Sequence, residues 1–463
     1  MAPKQMISAR LVAVRVLNRL DPKRTYAAAI LERLLNRTNQ KQRATDLVFG
    51  ALRNRDAIDR IISTLSGKPV TRIPRHMLNV LRVAVYELTY NPETPAYSIV
   101  NEAVDSARLL AGTRQVGFVN AVLRTITRHI TERTSSLSDC PATKTVPQTP
   151  LTGCRFDTDI LPENESAFQA YLSAAFSIPR RLIDEWIRDY GPDNTREICF
   201  GSNRRPTVYV RANLLKTTVA DLAAIFREAA IEVTEIPDAP VLGVRSPHNI
   251  RQLPGFEQGL FTVQDLTASL PVAILNPQPH WKILDLCAAP GVKTTQIAEA
   301  TGDNARIIAT DIDAKRLEML RQNIARLGVQ SITTIEHKHL ERTFQETGPF
   351  DAILLDVPCS NTGVLAKRVE AHYRLTPETV KNLIRTQTGL LEASAKMLAI
   401  SGCICYSTCS ILNAENGDLL RSFLASHDEI LLEHEHLTLP SAAKTDHDGG
   451  YFAILRRAET HKH

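Results

Sequence analysis

Apolar residues recur at three- and four-residue spacings through the first 130 positions. Leu78, Leu81, Val85 and Leu88 form one such series; Ile99, Ala103, Ala107 and Leu110 form another, and Phe118, Val122 and Ile126 a third. This is the period at which side chains share one face of an α-helix. Pro74, Pro92, Pro95 and Gly112 punctuate the runs, and no strand-like alternation intervenes. Residues 1–132 are therefore predicted to form an all-helical bundle. From Arg133 to Glu165 the chain reads "RTSSLSDCPATKTVPQTPLTGCRFDTDILPENE". Its Ser, Thr and Pro content predicts a flexible linker over 133–165. A helix-sized run, "RRLIDEWIRDYG", follows, then the alternating "RRPTVYVRAN" and the helical "DLAAIFREAA". Residues 166–260 thus read as a small α+β unit.

The pattern changes again near Phe261. "KILDLCAA" (282–289), "ARIIATDID" (305–313), "FDAILLDVP" (350–358) and "GCICYSTC" (402–409) are short apolar runs separated by helical stretches such as "AKRLEMLRQNIARLG". Strands alternating with helices imply a doubly wound parallel sheet over 261–463. The fold class is multidomain, α followed by α/β. Ligands of such sheets bind beyond the carboxyl ends of the strands.

Composition changes this picture little. A chain of 463 residues with 43% apolar and 23% charged content is that of an ordinary globular protein of two or three domains. The net charge of +5 is unevenly spread: residues 1–60 hold thirteen Lys and Arg against five acids. That excess suits a polyanion such as nucleic acid, and a solvated helical face would carry it equally well. No run approaches the roughly 18 apolar residues of a membrane span, and "MAPKQMISARLVAVRVLNRL" lacks a signal peptide's apolar centre. Eight cysteines without a secretory signal point to reduced thiols in the cytoplasm. Cys403, Cys405 and Cys409 do not form C-x-x-C ligand pairs, and His337 and His339 lack a partner at ligand spacing, so no metal site is expected.

Two features carry candidate chemistry. In "LDLCAAPGVKTTQIAE" (284–299) a strand turns into a helix through Ala288, Ala289, Pro290 and Gly291, residues small enough for a ligand to approach the backbone. The turn fits neither a Walker A loop nor G-x-G-x-x-G. Asp311 ends the next strand, where an acid can hydrogen-bond ribose hydroxyls. The pair fits NAD or S-adenosylmethionine, or simply a tight turn with a helix-capping acid.

The second feature is thiol-based. Cys359, in "DVPCSNTG", and Cys409, in "YSTCS", both follow apparent strand ends, and Asp356 precedes the first by three residues. Lys293, Lys367 and Arg368 are cations that could favour a thiolate. Cys403 and Cys405 lie within a strand run and read as small buried hydrophobes. A redox pair is one use of two cysteines, although C-x-x-C is lacking. Another is methylation at carbon 5 of cytosine. Thiolate addition at carbon 6 makes carbon 5 nucleophilic, an acid at ring N3 offsets the developing charge, and a second thiol assists release.

The segments "LDLCAAPGVKTT", "ATDIDAKRLEMLRQNIARLG", "LLDVPCSNTGVL" and "YSTCSILNAEN" resemble the RNA cytosine-C5 methyltransferases that carry a proline–cysteine and a threonine–cysteine motif. "GFVNAVLR" (117–124) and "GFEQGLFTVQDLTASL" (255–270) are similar to the branch with a NusB-like helical domain, the bacterial ribosomal RNA small subunit methyltransferases B. The resemblance covers nearly the whole chain apart from the presumed linker. It implies a Rossmann-like methyltransferase domain, RNA contact by the helical and α+β parts, S-adenosylmethionine as methyl donor and a cytosine of 16S ribosomal RNA as substrate. Carried over by position, Cys409 would attack carbon 6, Cys359 would help release the product, and Asp356 would sit against both base and cofactor. Cys287, Ala288, Ala289, Pro290, Gly291, Val292 and Lys293 would form the cofactor loop, and Asp311 would take the ribose.

The chain departs from the family pattern in three places. Val292 stands where a second glycine is usual, so a positive φ there would be strained. His337 stands where an adenine-side aspartate is expected, next to Glu336, and that contact is left unassigned. The basic stretch after the Pro-Cys motif keeps Lys367, Arg368 and Arg374 but has Val369. The same chemistry on transfer RNA, and a non-catalytic RNA-binding assembly factor, are the competing readings.

Overall fold

The computed structural model describes residues 6–110, 112–245 and 250–459. The chain divides into two compact units. The first comprises residues up to Arg205 together with Leu365–Arg374 and Ala442–Lys444; the second comprises Pro206–Val364, Leu375–Ser441 and the chain from Thr445.

The first unit is mainly helical. Helices Ala9–Arg19, Lys41–Arg53, Arg55–Ser66, Arg75–Tyr90, Ala96–Arg108 and Thr113–His129 bury the apolar faces that their spacing predicts. At its centre Glu87, fully buried, pairs with the equally buried Arg10 and accepts from Arg43 at 2.9 Å. Such a pair adds little net stability over apolar packing, but losing one partner strands a buried charge.

The expected linker is instead ordered. Ile130–Ser136, Thr145–Pro147 and Thr152–Phe156 form a three-stranded antiparallel sheet. Composition hid the reason. Val146, Cys154 and Phe156 are fully buried, and the Arg133 guanidinium caps the end of helix Arg75–Tyr90, donating to the carbonyls of Glu87 and Asn91 (2.7 Å each) and Leu88 (2.9 Å). A cation on the unsatisfied carbonyls of a helix C-terminus is favourable. The helix read over "RRLIDEWIRDYG" does end at Gly191, whose φ of 79° breaks Arg180–Asn203 before Pro192 restarts it.

Segment Leu365–Arg374 is part of this unit. Glu370 accepts from Ala27 N at 2.7 Å, Arg53 donates to the Ala366 carbonyl at 2.8 Å, and Val369 is buried. Arg374 donates to the carbonyls of Pro22 and Thr25 (2.8 and 2.7 Å) and lies over the Tyr26 ring. Lys367 and Arg368 are exposed.

The second unit holds two sheets. Glu232–Glu235, Val241–Arg245, Val208–Ala212 and Phe261–Val263 form a four-stranded antiparallel sheet in that order. Helix Val219–Glu228 packs on it through Leu222, Ala223 and Phe226.

The larger sheet has seven strands: β1 (Lys282–Asp285), β2 (Arg306–Asp311), β3 (Ile332–Glu336), β4 (Phe350–Asp356), β5 (Leu398–Thr408), β6 (Ile430–Thr438) and β7 (Gly450–Arg457). Their spatial order is β3-β2-β1-β4-β5-β7-β6. β1 to β5 are parallel, whereas β7 runs antiparallel to both β5 and β6. The closing hairpin was not apparent in the pattern because β6 is an edge strand whose Glu433–His436 are exposed. The central strands read as continuous apolar runs because both faces are covered. Ala352, Leu354, Cys403 and Cys405 join one core, and Ile353, Leu355, Ile404 and Tyr406 join the other. Among the described residues, no helix is long and apolar enough to cross a membrane.

Candidate active site

The parallel register places the chemistry at one edge of the sheet. Leu354 of β4 pairs with Asp285, the last residue of β1, and Asp356 pairs with Ser407 of β5. The chain after β4 and the chain after β5 therefore emerge side by side, carrying Cys359 and Cys409.

The turn after β1 runs through Cys287 and the buried Ala288 and Ala289 to Gly291. Gly291 has φ 98°, which favours glycine, and a β-carbon there would fall 2.2 Å from Leu320 Cδ1, so the leucine end would have to shift. Val292 is the first residue of helix Val292–Ala300 and is not among the positive-φ residues, so the strain expected from the missing second glycine does not arise.

Asp311, nearly buried at the end of β2, accepts from Ala289 N at 3.3 Å and from Asp313 N at 2.9 Å, and Arg316 approaches it at 3.5 Å. These bonds fix the carboxylate against the turn and leave it further acceptor capacity. A side-chain-poor turn at a helix start, with a fixed carboxylate on the neighbouring strand, suits an adenosyl cofactor. Burial, followed by the carboxylates of Asp285, Asp356 and Asp311, pushes the Cys287 thiol up to about 12, which disfavours its thiolate. Burial also raises Asp285 to about 7 against the opposing hydrogen bond from Thr294. Glu336 and His337 are both exposed, and Glu336 is engaged by Lys338 at 2.7 Å.

Lys293, one residue into the helix, turns its ammonium to Asp356 Oδ1 at 2.7 Å. Ser407 donates to the same oxygen at 3.0 Å. Burial opposes the charge on Lys293, but Asp356 and then Cys409 outweigh it, and the group is held above its ordinary range. A retained cation thus stands between a carboxylate and a thiol.

The sulfurs of Cys359 and Cys409 are 3.1 Å apart. Cys409 is partly accessible and directs its S–H toward Asn361 Oδ1 at 3.3 Å, while Cys359 is 9% exposed. The two loops are locked close by: Gly363 N donates to the Cys409 carbonyl at 3.0 Å, and Gly449 N to the Gly363 carbonyl at 2.7 Å. A β-carbon on Gly363 would meet Gly449 O at 2.5 Å. The hydrogen bond with Cys409, then burial, then the charges of Cys409 and Glu415 hold Cys359 well above the usual thiol range. Cys359 therefore keeps its proton beside its partner. Cys403 and Cys405, fully enclosed in β5, are raised by burial, Cys403 to about 11.

Comparisons with known proteins match three stretches of the chain. The NusB family matches residues 7–128, a Methyltr_RsmF/B-like ferredoxin-like domain matches 178–249, and 16S rRNA methyltransferase RsmB/F matches 272–458. The Synechocystis sp. protein "Probable ribosomal RNA small subunit methyltransferase B" is 31% identical over 460 residues, covering 97% of this chain and 96% of that protein. The chain belongs to the ribosomal RNA small subunit methyltransferase B family. The Photorhabdus laumondii protein of that name is 29% identical over 93% of this chain and 92% of its own length. In fold, the chain is similar to the crystal structure of PH0851, with TM-score 0.72 and 22% identity over 98% of this chain and 100% of that one. NSun6 from Pyrococcus horikoshii with SFG gives TM-score 0.53 at 22% identity over 61% of this chain and 98% of that one.

Within this methyltransferase family member, sequence reasoning passed over two groups next to the site. Arg211, on the four-stranded sheet, is fully buried, pairs with Glu299 at 2.8 and 2.9 Å and donates to the Val292 carbonyl at 3.2 Å. It thereby fixes the start of the helix that follows the Gly291 turn. In "RRPTVYVRAN" its alternating position gave the only signal. Glu415, in "SILNAEN", is fully buried behind both cysteine loops. An acid six residues past a thiol has no meaning until burial is known.

Proposed function

We propose that this chain methylates carbon 5 of a cytosine in 16S ribosomal RNA, with Cys409 as the attacking thiol and Cys359 assisting release. The observation that carries this reading is the pair of thiols 3.1 Å apart, next to the Lys293–Asp356 pair, at the carboxyl ends of adjacent parallel strands. Cys287 to Lys293 and Asp311 would hold S-adenosylmethionine, which when bound supplies an electrophilic methyl group.

In this scheme the Cys409 thiolate, favoured by the Lys293 ammonium, forms a bond to ring carbon 6. Electron density moves toward N3, where the Lys293 ammonium held by Asp356 offsets it, and carbon 5 becomes the nucleophile that takes the methyl. Carbon 5 must then lose its proton before the carbon–sulfur bond breaks. With Cys409 bonded to carbon, its sulfur no longer carries the charge that, after their hydrogen bond and burial, holds the proton on Cys359. Cys359, once its own proton has passed to solvent, takes the carbon 5 proton; the C5–H electron pair restores the ring double bond as the carbon–sulfur bond breaks, and Cys409 departs as thiolate.

The target base must be unpaired or extruded, since stacking hides the face that the thiol attacks. The helical unit, with its basic N-terminal stretch, and the four-stranded sheet supply the phosphate contacts in this reading, so affinity for RNA falls steeply with added salt. Bisulfite mapping of ribosomal and transfer RNA, incubated with protein and S-adenosylmethionine, tests the assignment. One new protected cytosine in 16S RNA supports it. Protection confined to transfer RNA, or none together with no calorimetric cofactor binding, overturns it.

A further inference from the structure

Glu415 is fully buried, yet its carboxylate is fully used. Oε1 accepts from Ser360 N at 2.9 Å and from Gln387 Nε2 at 3.0 Å, and Oε2 accepts from Ser410 Oγ at 2.6 Å and from Ser360 Oγ. Ser360 directly follows Cys359, and Ser410 directly follows Cys409. The acid thus holds the residue after each thiol with one carboxylate. Four neutral donors converge on it, an arrangement that suits a carboxylate and not a carboxylic acid.

The surrounding hydroxyls close the lock. Ser410 Oγ lies 3.0 Å from both Ser360 Oγ and Thr362 Oγ1, and Thr362 Oγ1 accepts from Ile411 N at 3.0 Å. Gln387, on helix Pro377–Met397, also donates to the Pro358 carbonyl at 2.9 Å, and Tyr406 donates to Glu415's own carbonyl at 2.6 Å. Ser360, Thr362, Gln387 and Ser410 are all buried. Glu415 reaches neither sulfur through these bonds; it acts on them through the loops.

We propose that Glu415 is a positioning residue that clamps the Pro-Cys loop to the Thr-Cys loop and so sets the spacing of the two sulfurs. The role rests on the thiol chemistry proposed above, but the clamp itself is a property of the protein alone. Two variants separate its parts. Glu415→Ala removes all four bonds. Glu415→Gln keeps the shape and loses the charge: its carbonyl oxygen can still take Ser360 N and Gln387, and its amide can donate to hydroxyls that rotate to accept.

The test uses the purified full-length chain without RNA or cofactor. Phenylarsine oxide bridges two thiols only when they are close, and peptide mass spectrometry reports a Cys359–Cys409 bridge. Wild type and Glu415→Gln are expected to form it, Glu415→Ala to lose it, and Cys359→Ala to serve as the negative control. In Glu415→Gln, alkylation of Cys359 by iodoacetamide is expected to begin at lower pH than in wild type, because one of the charges that hold its proton is gone. Misplacement of this kind predicts a kcat about 100-fold lower for Glu415→Ala with little change in KM.

Equal bridging in wild type and Glu415→Ala overturns the clamp. An unshifted alkylation profile in Glu415→Gln overturns the electrostatic part, and that variant remains informative if Glu415→Ala does not fold. Loss of bridging in Glu415→Ala beside a wild type that methylates no cytosine leaves the clamp standing and removes the catalytic reading. Intact bridging in Glu415→Ala beside a methylating wild type does the reverse.

Discussion

Cys359 and Cys409 lie fifty positions apart in the chain, yet their sulfurs are 3.1 Å apart, because β4 and β5 are parallel neighbours with Asp356 level with Ser407. The proximity makes their roles separable by substitution. Cys409→Ala is expected to abolish methylation and to form no covalent RNA complex. Cys359→Ala is expected to accumulate a complex that survives denaturing electrophoresis. The opposite pattern would exchange the two roles.

Lys293→Met removes the cation that faces both Asp356 and Cys409. Alkylation of Cys409 at neutral pH should slow, and kcat should fall by about 100-fold or more, the scale of a lost acid–base or electrostatic partner. Lys293→Arg should restore part of the alkylation rate. Undiminished alkylation in Lys293→Met would remove the residue from thiol activation.

Gly291→Ala places a methyl group against Leu320 and a side chain at φ 98°. The leucine end can shift, but the backbone strain cannot be relieved locally, and a cost of about 1–2 kcal/mol is expected. Calorimetry should show S-adenosylmethionine binding weakened by about tenfold or more. Adding Leu320→Ala should recover only part of the loss, because it removes the clash and leaves the strain.

His372, on segment Leu365–Arg374, is 7% exposed, and burial, then Arg55, lowers its pKa to about 4. In the unfolded chain it titrates near the ordinary value of 6.5. Between pH 6.5 and 4 the unfolded state binds more protons, so this contribution is complete above pH 6.5 and is lost as pH falls toward 4. The full loss is about 3 kcal/mol. Thermal melts should show His372→Gln converging with wild type as pH falls through this window. Parallel curves at all pH values would mean that His372 does not titrate on unfolding.

The parts of the fold that pattern discloses are those buried on both faces or on one regular stripe. Ile353 and Leu355 face one core while Ala352 and Leu354 face the other, so β4 is written as an unbroken apolar run. Leu78, Leu81, Val85 and Leu88 likewise mark a helix face. The sheet of Ile130–Phe156 escapes notice because Val146, Cys154 and Phe156 are scattered among Ser, Thr and Pro, and because Arg133 is satisfied by main-chain carbonyls that no side-chain pattern records. At the site, Cys359, Cys409, Asp356 and the Gly291 turn stand out because each lies at or just past a strand end. Arg211 and Glu415 do not. A charged residue has the same letter on a solvated surface and at the bottom of a hydrogen-bond network, and only the packing of elements distant in sequence distinguishes the two.

The membership of Leu365–Arg374 in the first unit has a topological consequence. The chain leaves the second unit at Val364, just after the Cys359 loop, and re-enters it at Leu375. No single scission of the backbone can therefore divide the protein into its two units. A fragment ending at Arg205 would lack the acceptor for Ala27 N and the carbonyl that receives Arg53. Its complement would carry thirteen residues that belong to the first unit, Leu365–Arg374 and Ala442–Lys444.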